Sequence, residues 1–88
     1  MIRRRLVVSG RVQGVFYRDT CRSVAGSAGV AGAARNLPDG RVEVILEGDP
    51  TAVEKVIAWC RKGTRGSRVT AVDISEEEPE GDSGFRVL

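Results

Sequence analysis

Apolar residues along the chain recur with two different periods. Val42, Val44 and Leu46 alternate with Glu43 and Glu47, the two-residue repeat of a strand with one buried face and one wet face. Cys21, Val24, Ala25 and Ala28 instead fall at i, i+3, i+4 and i+7, the stripe of a helix that buries one side, and Val53, Val56, Ile57 and Cys60 repeat that spacing. Leu6 and Val8, alternating with Val7 and Ser9, predict a short strand ahead of the first helix. Val69, Ala71, Val72 and Ile74 predict a fourth strand, and Phe85 with Val87 a short fifth element after a charged loop.

Turn and cap residues set the boundaries. Gly10 ends the first strand, and Gly29 stops a first helix that starts at Arg18 and carries Gly26 at a cost of about 1 kcal/mol relative to Ala. Val30 to Asn36 is rich in Ala and Gly and poor in strand formers, so only the turn after it makes it a strand. Leu37-Pro38-Asp39-Gly40 combines a Pro that presets φ, an Asp able to bond its own backbone, and a Gly for a positive φ, so the chain reverses into a hairpin with the Val42 strand. Asp49 followed by Pro50 starts the second helix, Arg61 and Lys62 suit its negative end, and Gly63 stops it. Trp59 is expected at the edge of the core.

The resulting order is β-α-β-β-α-β with a tail. It predicts an α+β fold of the ferredoxin-like type, an antiparallel sheet with two helices on one face. At 88 residues the chain fits a single domain, residues 1–88. Hydrophobic residues make up 41% and charged residues 30%, and no apolar run approaches the length of a membrane span. The basic start, Met1 to Arg5, precedes too short an apolar run for a signal peptide. A cytoplasmic monomer with no membrane partner is the expectation.

Charge and cysteine usage narrow the chemistry. The net charge is only +2, but Asp73, Glu76, Glu77, Glu78, Glu80 and Asp82 crowd the last part of the chain. Arg3, Arg4 and Arg5 read as a solvated strand face, and without an aromatic RNA-recognition signature no nucleic-acid partner is expected. Cys21 and Cys60 have no further cysteine or histidine at ligand spacing, so they read as core residues and not as a zinc site. A disulfide between them requires the two helices to pack side by side.

Between the first strand and the first helix lies Gly10-Arg11-Val12-Gln13-Gly14-Val15-Phe16-Tyr17-Arg18. Gly10 and Gly14 can take positive φ, so the loop can curl and turn several backbone N–H groups inward. A helix starting at Arg18 would aim its unpaired N–H groups and positive dipole end into the same concavity as the guanidinium. Residues 13–18 therefore read as an anion cradle suited to phosphate.

Val12-Gln13-Gly14-Val15 followed by Phe16-Tyr17-Arg18, together with Arg35-Asn36-Leu37-Pro38-Asp39-Gly40-Arg41-Val42-Glu43, closely resembles the acylphosphatase family, small hydrolases that cleave carboxyl-phosphate anhydrides. The similarity runs from about Leu6 to the end. The resemblance implies the ferredoxin-like fold, an acyl phosphate as the small-molecule substrate and no cofactor or metal. It maps Arg18 onto the phosphate-binding arginine, with Gln13, Gly14, Val15, Phe16 and Tyr17 forming the phosphate loop, and Asn36 onto the asparagine that positions the attacking water. Spacing alone does not put Asn36 beside Arg18. Two departures stand out: Ala33 replaces a frequent bulky aromatic, which implies a differently packed second strand, and Tyr17 stands where phenylalanine is common. In some relatives the end of the chain reaches the active-site arginine.

The available residues agree with that chemistry. No histidine is present, which removes the commonest general base and the Ser-His-Asp triad. Cys21 lies beyond Arg18 on a buried stripe, not in the cradle as a thiolate nucleophile would be. Asp19 is the only acid nearby, too few for a metal-dependent phosphatase. An acyl phosphate needs none of these, because its leaving carboxylate has a conjugate-acid pKa of about 4. The rival reading is a non-catalytic ferredoxin-like anion-binding or regulatory module, or a detached domain of a larger carbamoyl-phosphate-using maturation enzyme.

Overall fold

A computed structural model describes residues 1–88. Its elements are β1 (Ile2–Arg11), α1 (Tyr17–Ala28), β2 (Ala31–Asn36), β3 (Val42–Gly48), α2 (Pro50–Lys62), β4 (Arg68–Glu77) and β5 (Phe85–Val87). The five strands form one sheet in the order β4-β1-β3-β2-β5. Both helices lie on one side of it. Pairing Leu6 with Val44, Val8 with Val42 and Ala34 with Val44 puts these apolar side chains on the helix-covered face. There they meet Cys21 and Ala25 of α1 and Val53, Val56, Ile57 and Cys60 of α2, all buried. Fully burying one such valine or leucine contributes roughly 1.5–3 kcal/mol.

The helix ends follow from local chemistry. Asp49 accepts hydrogen bonds from the N–H groups of Thr51 and Ala52, and Pro50 opens the helix, so α2 begins where the Asp-Pro pair predicts. Gly29 closes α1 in the left-handed conformation, its N–H reaching back to the carbonyls of Ala25 and Gly26. No helix is long and apolar enough to cross a membrane.

Three sequence expectations change. First, β1 does not end at Gly10 or start at Leu6; it runs ten residues. Its arginines do not interrupt it, because Arg3 lies between Glu47 of β3 and Glu77 of β4 and pairs with both at 3.0 Å. Gly10 is instead the site of a register shift against β4, where a Cβ would collide with the carbonyl oxygen of Arg68. Second, the sheet is mixed: β5 runs parallel to β2, while the other pairings are antiparallel. Third, β4 extends through Glu77 into the acidic stretch expected to be loop, because the acids there face cationic partners on β1.

The face away from the helices is covered by ion pairs. Glu47 is 1% exposed and binds Arg3 while accepting hydrogen bonds from the N–H groups of Glu80, Gly81 and Asp82 at 2.8, 2.8 and 3.1 Å. One buried carboxylate thus folds the acidic loop back over the sheet and delivers the chain to β5.

Candidate active site

The cradle begins where β1 runs out. Gly14 has φ 73° and Phe16 has φ 60°, so the chain turns twice into the left-handed region before α1. At Gly14 this conformation is free of steric cost. At Phe16 it stores strain on the order of 1–3 kcal/mol, which surrounding contacts must hold in place. Three side chains do so. Gln13 Nε2 donates to the carbonyls of Leu37 and Arg41, both at 2.9 Å. Thr64 Oγ1 donates to the carbonyl of Val15 at 2.8 Å. Tyr17, 1% exposed, packs with its ring centroid 5.0 Å from that of Trp59 and donates its hydroxyl to the Cys60 carbonyl at 2.7 Å. Burial pushes the Tyr17 phenol well above its ordinary range, so it stays a donor.

Phe16 occupies the N-cap position of α1, and no side chain caps the helix. Thr20 N–H is satisfied by the Phe16 carbonyl, and the N–H groups ahead of it are left for whatever lies outside. Beside this helix start is a depression of about 260 Å³ lined by Val12, Gly14, Phe16, Tyr17, Arg18, Asp19 and Val87. An uncapped helix start, with its positive dipole end, and a guanidinium share this concavity, the combination that favours a small anion. Arg18 projects from the first turn, and its Nη1 donates to the backbone oxygen of Leu88 at 2.6 Å. Asp19 turns to Arg22 at 3.3 Å instead.

Asn36 closes β2. It pairs with Val42, which in turn pairs with Val8 of β1, so Asn36 sits in the same cross-strand row as Val8. Two residues from Ala34 on one strand, it shares that residue's helix-covered face. Asn36 does not line the depression, and a link from Arg18 to its strand comes from the end of the chain. Leu88 N–H donates to the Ala34 carbonyl at 2.9 Å, and Leu88 oxygen accepts from Arg18, so Arg18 is tied to the strand that carries Asn36. Asp39 is turn chemistry: its carboxylate accepts from the Arg41 backbone N–H at 3.1 Å, which holds it below the usual carboxylate range.

The sequence model of the acylphosphatase family matches residues 4–87. The chain belongs to the acylphosphatase family. The acylphosphatase of Rubrobacter xylanophilus is 50% identical over 84 residues, covering 94% of this chain and 76% of the relative. That of Roseiflexus sp. is 46% identical over 89 residues, covering 100% of this chain and 96% of the relative. The crystal structure of acylphosphatase from Bacillus subtilis superposes with a TM-score of 0.97 at 34% identity, covering 100% of this chain and 99% of that one. As an acylphosphatase, the chain is a hydrolase of acyl phosphates on a ferredoxin-like fold.

Residue patterns missed several parts of this acylphosphatase site. Tyr17 anchors the cradle, and the signal was present: Tyr17, Cys21 and Ala25 fall at i, i+4 and i+8 on the α1 stripe. Thr64 carried no signal, because its role depends on loops meeting across the fold, and for Leu88 the signal came only from the resemblance to relatives whose chain end reaches the arginine. Cys21 and Cys60 do lie on facing helices, as free thiols with no solvent exposure. The neighbouring Cys60 thiol and burial push Cys21 far above the ordinary thiol range, so it is no nucleophile.

Proposed function

We propose that Arg18 and the backbone N–H groups of Gln13, Gly14, Val15, Phe16, Tyr17 and Arg18 hold the phosphoryl group, and that Asn36 positions the attacking water. The single observation that carries this reading is the uncapped start of α1 opening on the same depression as the Arg18 guanidinium. Water attacks phosphorus in line with the departing oxygen. The P–O bond to the acyl group breaks, its electron pair leaves with the carboxylate, and the water's proton passes to a phosphate oxygen. Fixed donors neutralise charge on the three peripheral oxygens, so catalysis is positioning plus electrostatics. The leaving carboxylate, with a conjugate-acid pKa of about 4, departs without a general acid. An alkyl phosphate would expel a far more basic alkoxide and is expected to be a poor substrate.

The protein acts as a cytoplasmic monomer without nucleic-acid partners. Its few exposed large apolar side chains, Met1, Phe16, Ile74 and Leu88, support the monomer. Paired free thiols suit a reducing compartment. Arg3, Arg4 and Arg5 of β1 are engaged by acids, which supports the absence of nucleic acid.

The test is hydrolysis of a generic acyl phosphate by the intact protein in excess EDTA, with inorganic phosphate as competitor. Arg18→Ala and Asn36→Ala should each reduce kcat/KM on the order of 10²–10³-fold while staying folded by circular dichroism. Phosphate binding without turnover by the wild-type chain would favour the non-catalytic module instead.

A further inference from the structure

Phe16 is the one non-glycine residue with a positive φ, and the residue is 79% exposed. Glycine would take the same backbone conformation without strain. An exposed phenyl group adds nothing to the core and cannot cap the helix whose N-cap position it occupies. A bulky side chain kept at a strained, solvent-facing position acts on something outside the fold. Its location names the occupant. Phe16 lines the depression together with Gly14 and Arg18, and Val12 and Val87 line the same space. With a phosphoryl group on the cradle, the rest of the substrate has to extend past these apolar surfaces.

We infer that Phe16 is a specificity-determining residue: its ring packs against the acyl group and selects acyl phosphates whose carboxylic acid is apolar and ring-sized over those of acetate size. This rests on the acyl phosphate reading above. A depression of about 260 Å³ lies just below the range for drug-sized ligands, which suits a phosphoryl group joined to a single ring. Small polar acyl groups cover little of the Phe16 ring and gain little from it. Ring-sized groups remove one face of it from water together with their own surface.

The experiment compares kcat/KM for benzoyl phosphate with that for acetyl phosphate in the wild type and in Phe16→Ala, Phe16→Gly and Phe16→Leu. Any disturbance of the cradle acts on both substrates and cancels in the ratio. Wild type should favour benzoyl phosphate; the ratio should fall about tenfold in the Ala and Gly variants and recover most of the way in the Leu variant. Phe16→Gly relieves the strained φ, so an unchanged or raised Tm certifies its fold. A ratio that stays within twofold of wild type in both truncations overturns the inference, whether total activity falls or not. A wild type that hydrolyses neither acyl phosphate overturns the acyl phosphate reading itself.

Discussion

Arg18 Nη1 donates to the backbone oxygen of Leu88 at 2.6 Å, and this one bond joins the first turn of α1 to the strand pairing of β2 and β5. It uses one of the guanidinium's five donors and fixes where the others point. Hydrogen bonds to charged groups contribute roughly 1.5–3 kcal/mol, less when exposed as here. Deleting Leu88 should therefore raise both KM and the inhibition constant of inorganic phosphate about three- to tenfold, measured by steady-state kinetics. Tighter phosphate binding in the shortened chain would show that Leu88 competes for Arg18 and does not orient it.

Acid should unfold the protein through the carboxylates of the open face. Hydrogen bonds from the Glu80, Gly81 and Asp82 backbone and from Arg3 hold Glu47 below the usual carboxylate range against the opposing effect of burial. Burial raises Glu43, but Arg5 and Arg35 outweigh it, so its shift is also downward. A carboxylate depressed in the folded state contributes stability above its unfolded pKa of about 4.3, and that contribution is lost as pH falls through the folded value. Tm should hold between pH 6 and 8 and fall steeply below about pH 4. Glu47→Gln should lower Tm at pH 7 and flatten the acid limb, a difference that vanishes if the loop 78–84 finds other anchors.

The mechanism assigns no proton transfer to a protein carboxylate. Asp19 is the one acid lining the depression, and it pairs with Arg22. Asp19→Asn should change kcat less than about threefold, far short of the 10²–10⁴ typical of a lost general base. Its pH profile should keep the wild-type shape. Loss of one limb of that profile would make Asp19 the base.

Gly10 tests whether the bulge sets the cradle. Its φ of 120° and the nearby Arg68 carbonyl leave no room for a Cβ. Gly10→Ala should destabilise by about 3 kcal/mol or more, because backbone and not a flexible side chain has to move. Urea unfolding measures this. Gly14→Ala is strained by its φ of 73° but meets no neighbour, so its cost should be smaller, about 1 kcal/mol.

Local patterns were enough for both helices, their caps and the hairpin, since Val53 to Cys60, Asp49 and Pro38 to Gly40 each settle their structure within a few residues. They failed where the deciding partner is distant. Arg3 looked like solvated charge until Glu47 and Glu77, far along the chain, flanked it. β5 could not be oriented, because the direction of a short edge strand depends on how Glu47 gathers the preceding loop. In the site, the glycines and Arg18 were legible as a cradle, whereas the tie between Arg18 and the strand that carries Asn36 runs through Leu88.

Gln13 reaches two carbonyls of the Leu37–Arg41 turn from inside the phosphate loop. That side chain makes the loop and the end of β2 one rigid body, so substrate enters a cavity already assembled. On the proposed mechanism, turnover should then need no lid movement, and orthophosphate should leave at a rate set by its own grip on the amides.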